Sequence, residues 1–146
     1  MVFTDAERAY LAGHPLGRLA TIGPDGAPQA HPVALWLHEA SGTVDIGGPE
    51  LARSQKFRNV LADPRVSLVV DDQAEIPNPI GQTGRGIEVR GLAEVVVLDP
   101  PLVPGFSSET LRIRPRRVIA WNIAEFTPSR GRLPHLQGYS SRNVSP

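Results

Sequence analysis

The chain has 146 residues, with 15 basic and 15 acidic side chains, and no cysteine. That length suits one domain with one buried core. A formal net charge of zero argues against a nucleic-acid binder working through bulk charge, and the lack of cysteine excludes disulfides, thiolate nucleophiles and cysteine metal sites.

The N-terminal Met1-Val2-Phe3-Thr4-Asp5 has no basic stretch leading into an apolar run, so no signal peptide is expected. No apolar run approaches the roughly 20 residues of a membrane span. The expectation is a cytoplasmic protein. Thr4 followed by Glu7 forms a capping box. Ala6, Ala9, Tyr10 and Gly13 share helical spacing, and Gly13 ends the element.

Residues 17–22 read as a strand, Gly23-Pro24-Asp25-Gly26 as a tight turn, and residues 27–37 as a second strand. Both faces of that second strand are apolar: Val33, Leu35 and Leu37 on one, Pro32, Ala34 and Trp36 on the other. An antiparallel strand usually leaves one face wet. The second face must therefore be covered by a partner subunit or a flat ligand. A turn at residues 39–42 leads to a third strand at 43–47, and a helix follows over Arg53–Ala62 with Phe57, Val60 and Leu61 on its buried side. Asp63-Pro64 stops it. Residues 65–71 form a fourth, central strand and 72–85 a loop without periodicity. Residues 86–98 form the longest strand, with Ile87, Val89, Ala93, Val95 and Val97 inward and Glu88, Arg90 and Glu94 outward. After a proline-rich connection come two short strands, 110–114 and 117–122, split by Pro115. Residues 124–146 read as an extended tail to a domain spanning 1–123. Six or seven strands, a short N-terminal helix and one helix after the third strand predict a mainly β fold, an antiparallel barrel with the helix across its mouth.

The stretch Gly47–Asn59 holds the strongest chemical signal. Lys56 is the single lysine among the 15 basic residues. A strand passing through Gly47-Gly48 into a helix start leaves amide donors aimed at one spot. Arg53, Ser54, Lys56 and Asn59 add charges, a hydroxyl and an amide, the combination a phosphate requires; the same residues would equally make a solvated helix face. The P-loop spacing and GxSxG are absent, and no GxGxxG follows a strand. His31 and His38 lie seven apart on one strand, hence on opposite faces, and cannot share a metal. His31 stays a candidate for ligand contact. Arg112, Arg114, Arg116 and Arg117 form a basic cluster in sequence. Trp36 and Trp121 read as core or interface residues.

Gly17–Pro28 with His31-Pro32-Val33, and Ser54–Val60 followed by Asp63–Asp72, resemble the signatures of the pyridoxamine-phosphate-oxidase-like split-barrel proteins. Arg85–Glu94 and Ile113–Trp121 are similar to the actinobacterial branch that uses the deazaflavin coenzyme F420, and within it to the subgroup with the reductase of oxytetracycline biosynthesis. The resemblance implies a split β-barrel homodimer with cofactor sites at the subunit interface. By position, Lys56 would be the phosphate cation, with Ser54 and Asn59 as its neutral partners, and Arg53, Arg58 and the 112–117 arginines would offer a basic track to the acidic tail of F420. Gln29, His31, Pro32 and Val33 would lie along the flat ring, with Ile46 and Gly47 close by, and the 72–85 loop would reach the partner's site. The implied activity is hydride transfer from reduced F420 to a conjugated double bond, on a dehydrotetracycline-type polyketide in that subgroup. An FMN-dependent oxidase or reductase and a non-catalytic flavin or tetrapyrrole binder are the alternatives on the same barrel. The C-terminal substrate segment of the vitamin B6 oxidases is not recognisable.

Overall fold

A computed structural model describes residues 1–123 and 139–145. The elements are α1 (Asp5–Gly13), β1 (Leu16–Ile22), β2 (Pro28–His38), β3 (Thr43–Ile46), a 3₁₀ turn (Leu51–Arg53), α2 (Gln55–Ala62), β4 (Arg65–Gln73), β5 (Gly84–Val97), β6 (Glu109–Trp121) and β7 (Tyr139–Asn143). The sheet runs β3-β2-β1-β4-β5-β6-β7, every pairing antiparallel, and β3 also pairs with β6. Six strands thus close into a barrel and β7 adds a seventh outside the ring. This is the split barrel expected from the sequence.

The alternation of each strand sends one set of side chains into the barrel. Leu19, Val33, Leu35, Val44, Ile46, Leu68, Val70, Ile87, Val89, Leu111, Ile113 and Val118 are all buried there. The first half of β6 closes the ring through Val44↔Ile113 and Ile46↔Leu111, while its second half carries β7 through Arg117↔Asn143 to Trp121↔Tyr139.

Several expectations change. The two short strands around Pro115 are one strand. The register slips between Arg90 and Gly91, which pair with Arg117 and Pro115, so Arg116 is an extra, bulged residue. A proline lacks the ladder N–H and is tolerated at a bulge. Gly91 makes this possible, because a Cβ there would meet the Arg114 carbonyl oxygen at 2.1 Å. The 72–85 loop is shorter than expected: β4 and β5 remain paired out to Gln73↔Gly84, and Ala74 N–H donates to Thr83 O (2.7 Å). Val97 is exposed, since the end of β5 extends past the core.

Thr4 forms the capping box with Glu7. The buried face of α1 is Glu7, Tyr10 and Leu11; Ala9 and Gly13 are exposed. Glu7 is tolerated inside because Arg142 of β7 donates Nη1 to its Oε2 (2.8 Å) and Nη2 to its Oε1, while Thr4 N–H donates to Oε1 at 3.0 Å. Arg142 Nη2 also donates to Val2 O (2.6 Å). At the other end of α1, Tyr10 Oη donates to Asp72 Oδ1 (2.7 Å), and Arg85 donates Nε and Nη2 to the same carboxylate (2.7 and 2.9 Å). His14 stacks on Tyr10 with ring centroids 4.1 Å apart and reaches Asp72 Oδ2 at 3.2 Å.

Candidate functional site

The helix expected over 53–62 is broken in two. Ser54 sits in extended backbone after the 3₁₀ turn, accepts from Phe57 N–H (3.3 Å) and caps α2. Its hydroxyl also donates to Leu51 O (2.6 Å). With Ser54 as cap, the Gln55 and Lys56 N–H groups open the helix and lack intrahelical acceptors. Phe57 and Val60 pack on the barrel, but Leu61 is 64% exposed and Asn59, only 2% exposed, takes the inward place. Asn59 is satisfied by long-range partners: its Nδ2 donates to Thr21 Oγ1 (2.9 Å) and Gln29 Oε1 (2.8 Å), and its Oδ1 accepts from Gln55 Nε2 (2.8 Å).

Between the start of α2 and the neighbouring strands β1 and β2 lies a cavity of about 120 Å³, lined by Leu19, Thr21, Gln29, Ala30, His31, Ser54, Gln55 and Lys56. It gathers four of the expected residues: Gln29, His31, Ser54 and Lys56. Burial pushes the Lys56 ammonium below its usual pKa. No carboxylate lies within ion-pair distance of it among the described residues. A partly desolvated cation without a counter-ion, beside free helix N-terminal amides, is a ready seat for an anion.

The other expected residues fall elsewhere. Val33 and Ile46 are buried in the barrel core. Gly47 lies against Phe106 and Leu102, and a Cβ there would meet them at 3.0 and 3.1 Å. Arg53 points to solvent, 3.6 Å from Glu50. Pro32 lies exposed on the outer face of β2. Asn59 holds the cavity wall from behind. Thr21 and Gln55 were missed, although Thr21 is the lone polar residue on the inward face of β1 and Gln55 stands one turn from Asn59.

The outer face of β1 and β2 explains the second apolar side of the latter. Leu16, Pro28, Ala30, Pro32 and Ala34 are exposed, and Ala20 and Ile22 half-buried. The register Leu16↔Ala34, Ala20↔Ala30, Ile22↔Pro28 groups them into an apolar strip, interrupted at Arg18↔Pro32 by Arg18, which pairs with Asp71 at 2.9 Å. Trp36 closes one end, edge-on to Phe106 at 5.7 Å. The basic cluster does not form a single patch. Arg112 pairs with buried Asp45 (2.9 Å twice), Arg114 with Glu94 (2.8 Å), and Arg117 donates to Asn143 and Ser141.

Residues 3–129 match the family described as pyridoxamine 5'-phosphate oxidase. The chain belongs to that family. It is 38% identical over 124 residues, 84% of this chain and 85% of the relative, to a 5a,11a-dehydrotetracycline/5a,11a-dehydrooxytetracycline reductase of Streptomyces rimosus. A solved structure described as an F420 reductase is 26% identical, with a TM-score of 0.59, over 80% of this chain and 98% of that one. A conserved hypothetical protein of Mycobacterium tuberculosis shares the fold at 23% identity and a TM-score of 0.64, covering 88% of this chain and 94% of the other.

Proposed function

We propose that the protein is an oxidoreductase that uses reduced coenzyme F420 to reduce a conjugated double bond of a small molecule, with a dehydrotetracycline-type polyketide as the substrate class. The observation that carries the reading is Lys56, a half-buried cation with no carboxylate partner among the described residues, in a cavity with two free helix amides. The names of the tetracycline reductase and the F420 reductase similar to this chain support the redox chemistry.

The residues fit a phosphate-bearing cofactor. The cavity is below the roughly 300 Å³ of the smallest usual ligand pockets, so it takes one end of a ligand, and a flat ring would lie outside it along Ala30, Pro32 and Ala34. Bound F420 supplies the hydride; the chain's residues bind, orient and exclude water. Lys56 neutralises the phosphate at a distance from the ring. Gln29 and His31 flank the ring's polar edge. The apolar strip over β1 and β2 is covered by a second copy of the chain, which would dry the site and make the enzyme a homodimer. FMN would use the same phosphate seat. F420 differs by its acidic tail, and Arg58, whose guanidinium binds, among the described residues, only the neutral acceptors Arg53 O and Gln55 Oε1 (both 2.8 Å), offers that tail a cation.

The test is a fluorescence titration with F420 and with FMN. Lys56→Met should weaken F420 binding about ten- to a hundredfold, the range for one charge-assisted hydrogen bond of about 1.5–3 kcal/mol. Unchanged affinity would reject the phosphate assignment, and a failure of both cofactors to bind would reject the enzyme reading. F420 binding without hydride transfer to any electrophilic alkene would favour a carrier.

A further inference from the structure

Beside the apolar strip, the outer wall of the barrel holds a groove of about 470 Å³ across β1, β4 and β5. That size falls within the roughly 300–1,000 Å³ of ordinary ligand sites. The groove is apolar along Ala20, Ile22, Pro28 and Leu92, and among the described residues that line it only Arg65, Arg90 and Arg116 carry charge. The strand registers make it continuous with the strip. Ala30 stands opposite Ala20, Ala20 opposite Ser67, and Ser67 opposite Arg90. Strands lie about 4.8 Å apart, so the three small side chains give a floor about 10 Å wide between the seat of the flat ring and Arg90.

The three arginines differ in what they meet. Arg65 donates Nε and Nη2 to Asp63 (3.0 and 2.7 Å), and Arg90 donates Nε and Nη2 to Glu88 (2.8 and 3.0 Å). Arg116 has no carboxylate within ion-pair distance among the described residues. The wall therefore carries one guanidinium in excess. The bulge in β6 puts it there, as bulges re-aim side chains elsewhere. Arg117, paired with Arg90, turns to Asn143 and Ser141 of β7 (2.7 and 2.6 Å), while the extra residue Arg116 lines the groove. A small hydrated anion such as phosphate would gain nothing from the apolar floor. A flat anion gains from the floor and the cation together.

We propose that this groove is a substrate subsite that takes a flat, largely apolar molecule with an ionised acid group such as an enolate, and that Arg116 meets the charge. The proposal rests on the reductase reading and deepens it. Polyketides of the tetracycline type carry acidic enols on fused rings, and the groove opens onto the strip where the cofactor's ring would lie.

The experiment uses two fluorescent probes of the same shape, anthracene carboxylate and the neutral anthracene carboxamide, on the ligand-free protein. Both should bind, the carboxylate more tightly, and tetracycline should displace them. Arg116→Met should weaken the carboxylate about fivefold, the upper end for an exposed ion pair, and leave the carboxamide within about twofold. Arg116→Lys should lose less than Arg116→Met, and Arg116→Glu should lose more. Arg116 is exposed, and its place in the sheet is held by its backbone oxygen, which accepts from Val144 N–H (2.8 Å), so the variants should fold. F420 affinity should stay within about twofold of wild type in all three. Failure of both probes to bind, or equal losses for acid and amide, would overturn the proposal. A fall in F420 affinity matching that of the carboxylate would also overturn it, by giving the groove to the cofactor's acidic tail. If F420 does not bind the wild type, the reductase reading falls while the probe pair still decides the groove.

Discussion

Replacing Arg142 with methionine is expected to cost about 3–5 kcal/mol of folding stability, the penalty for stranding a buried charge. Glu7 is 2% exposed. Without Arg142 its carboxylate keeps only the Thr4 N–H bond. Val2 O, on a buried residue, loses its donor as well. For a chain of this size the melting temperature should fall about 10 °C. Arg142→Lys keeps the charge but loses the two-pronged geometry, and should cost less. The decisive comparison is the double variant Glu7→Met/Arg142→Met, because an apolar pair of similar volume often replaces a buried ion pair without penalty. It should recover most of the loss. Thermal unfolding of the three variants reads this directly, and a double variant no more stable than Arg142→Met would show that the pair is not the cause.

Asp72→Asn is expected to cost about 2 kcal/mol near neutral pH, and the cost should vanish in acid. The hydrogen bonds from Arg85 hold the Asp72 carboxyl well below the usual carboxylate range; Tyr10 and His14 add to this, and burial opposes it. A carboxyl with a depressed native pKa stabilises the fold fully above its unfolded value of about 4, and that stabilisation is lost as pH falls through the native value. Groups facing it are Arg85, Tyr10, His14 and the neighbouring Asp71. Urea midpoints at pH 7 and pH 3 decide it. The gap between wild type and variant should narrow at pH 3, and an equal gap at both pH values would refute the linkage. The affected region should be the packing of α1 against the β4–β5 hairpin, since Asp72 is the group both share.

Features that depend on neighbours in sequence were legible. The Thr4–Glu7 capping box, the Gly23–Gly26 turn and the barrel itself follow from local turn chemistry and strand alternation. The grouping behind the proposed phosphate seat was legible for the same reason, since Ser54, Lys56 and the helix start are close in sequence. What escaped depends on partners far along the chain. Leu61 was assigned inward by periodicity, but Asn59 holds that place through Thr21 and Gln29, 38 and 30 residues away. The basic run at 112–117 looked like one patch until Asp45 and Glu94 drew off two of its members. Pro115 looked like a strand break because Gly91, which makes room for the bulge, sits on another strand. Gln29 was expected against the ring, yet the polarity of its amide could not be read without the hydrogen bonds behind it.

The Arg142 bridge has one more consequence. It holds the two ends of the described chain side by side, and Met1 and Ser145 line the same small hollow with Arg8 and Leu37. The described chain is close to a closed circle. Such chains tolerate being joined end to end and reopened at a surface turn. Reopening at the exposed 78–81 tip of the β4–β5 hairpin, where Asn78 N–H and Gln82 O bond at 2.8 Å, would leave the Lys56 cavity and the apolar strip intact. It would also free the hairpin tip, so a circular permutant of that design separates what the barrel does from what the hairpin does.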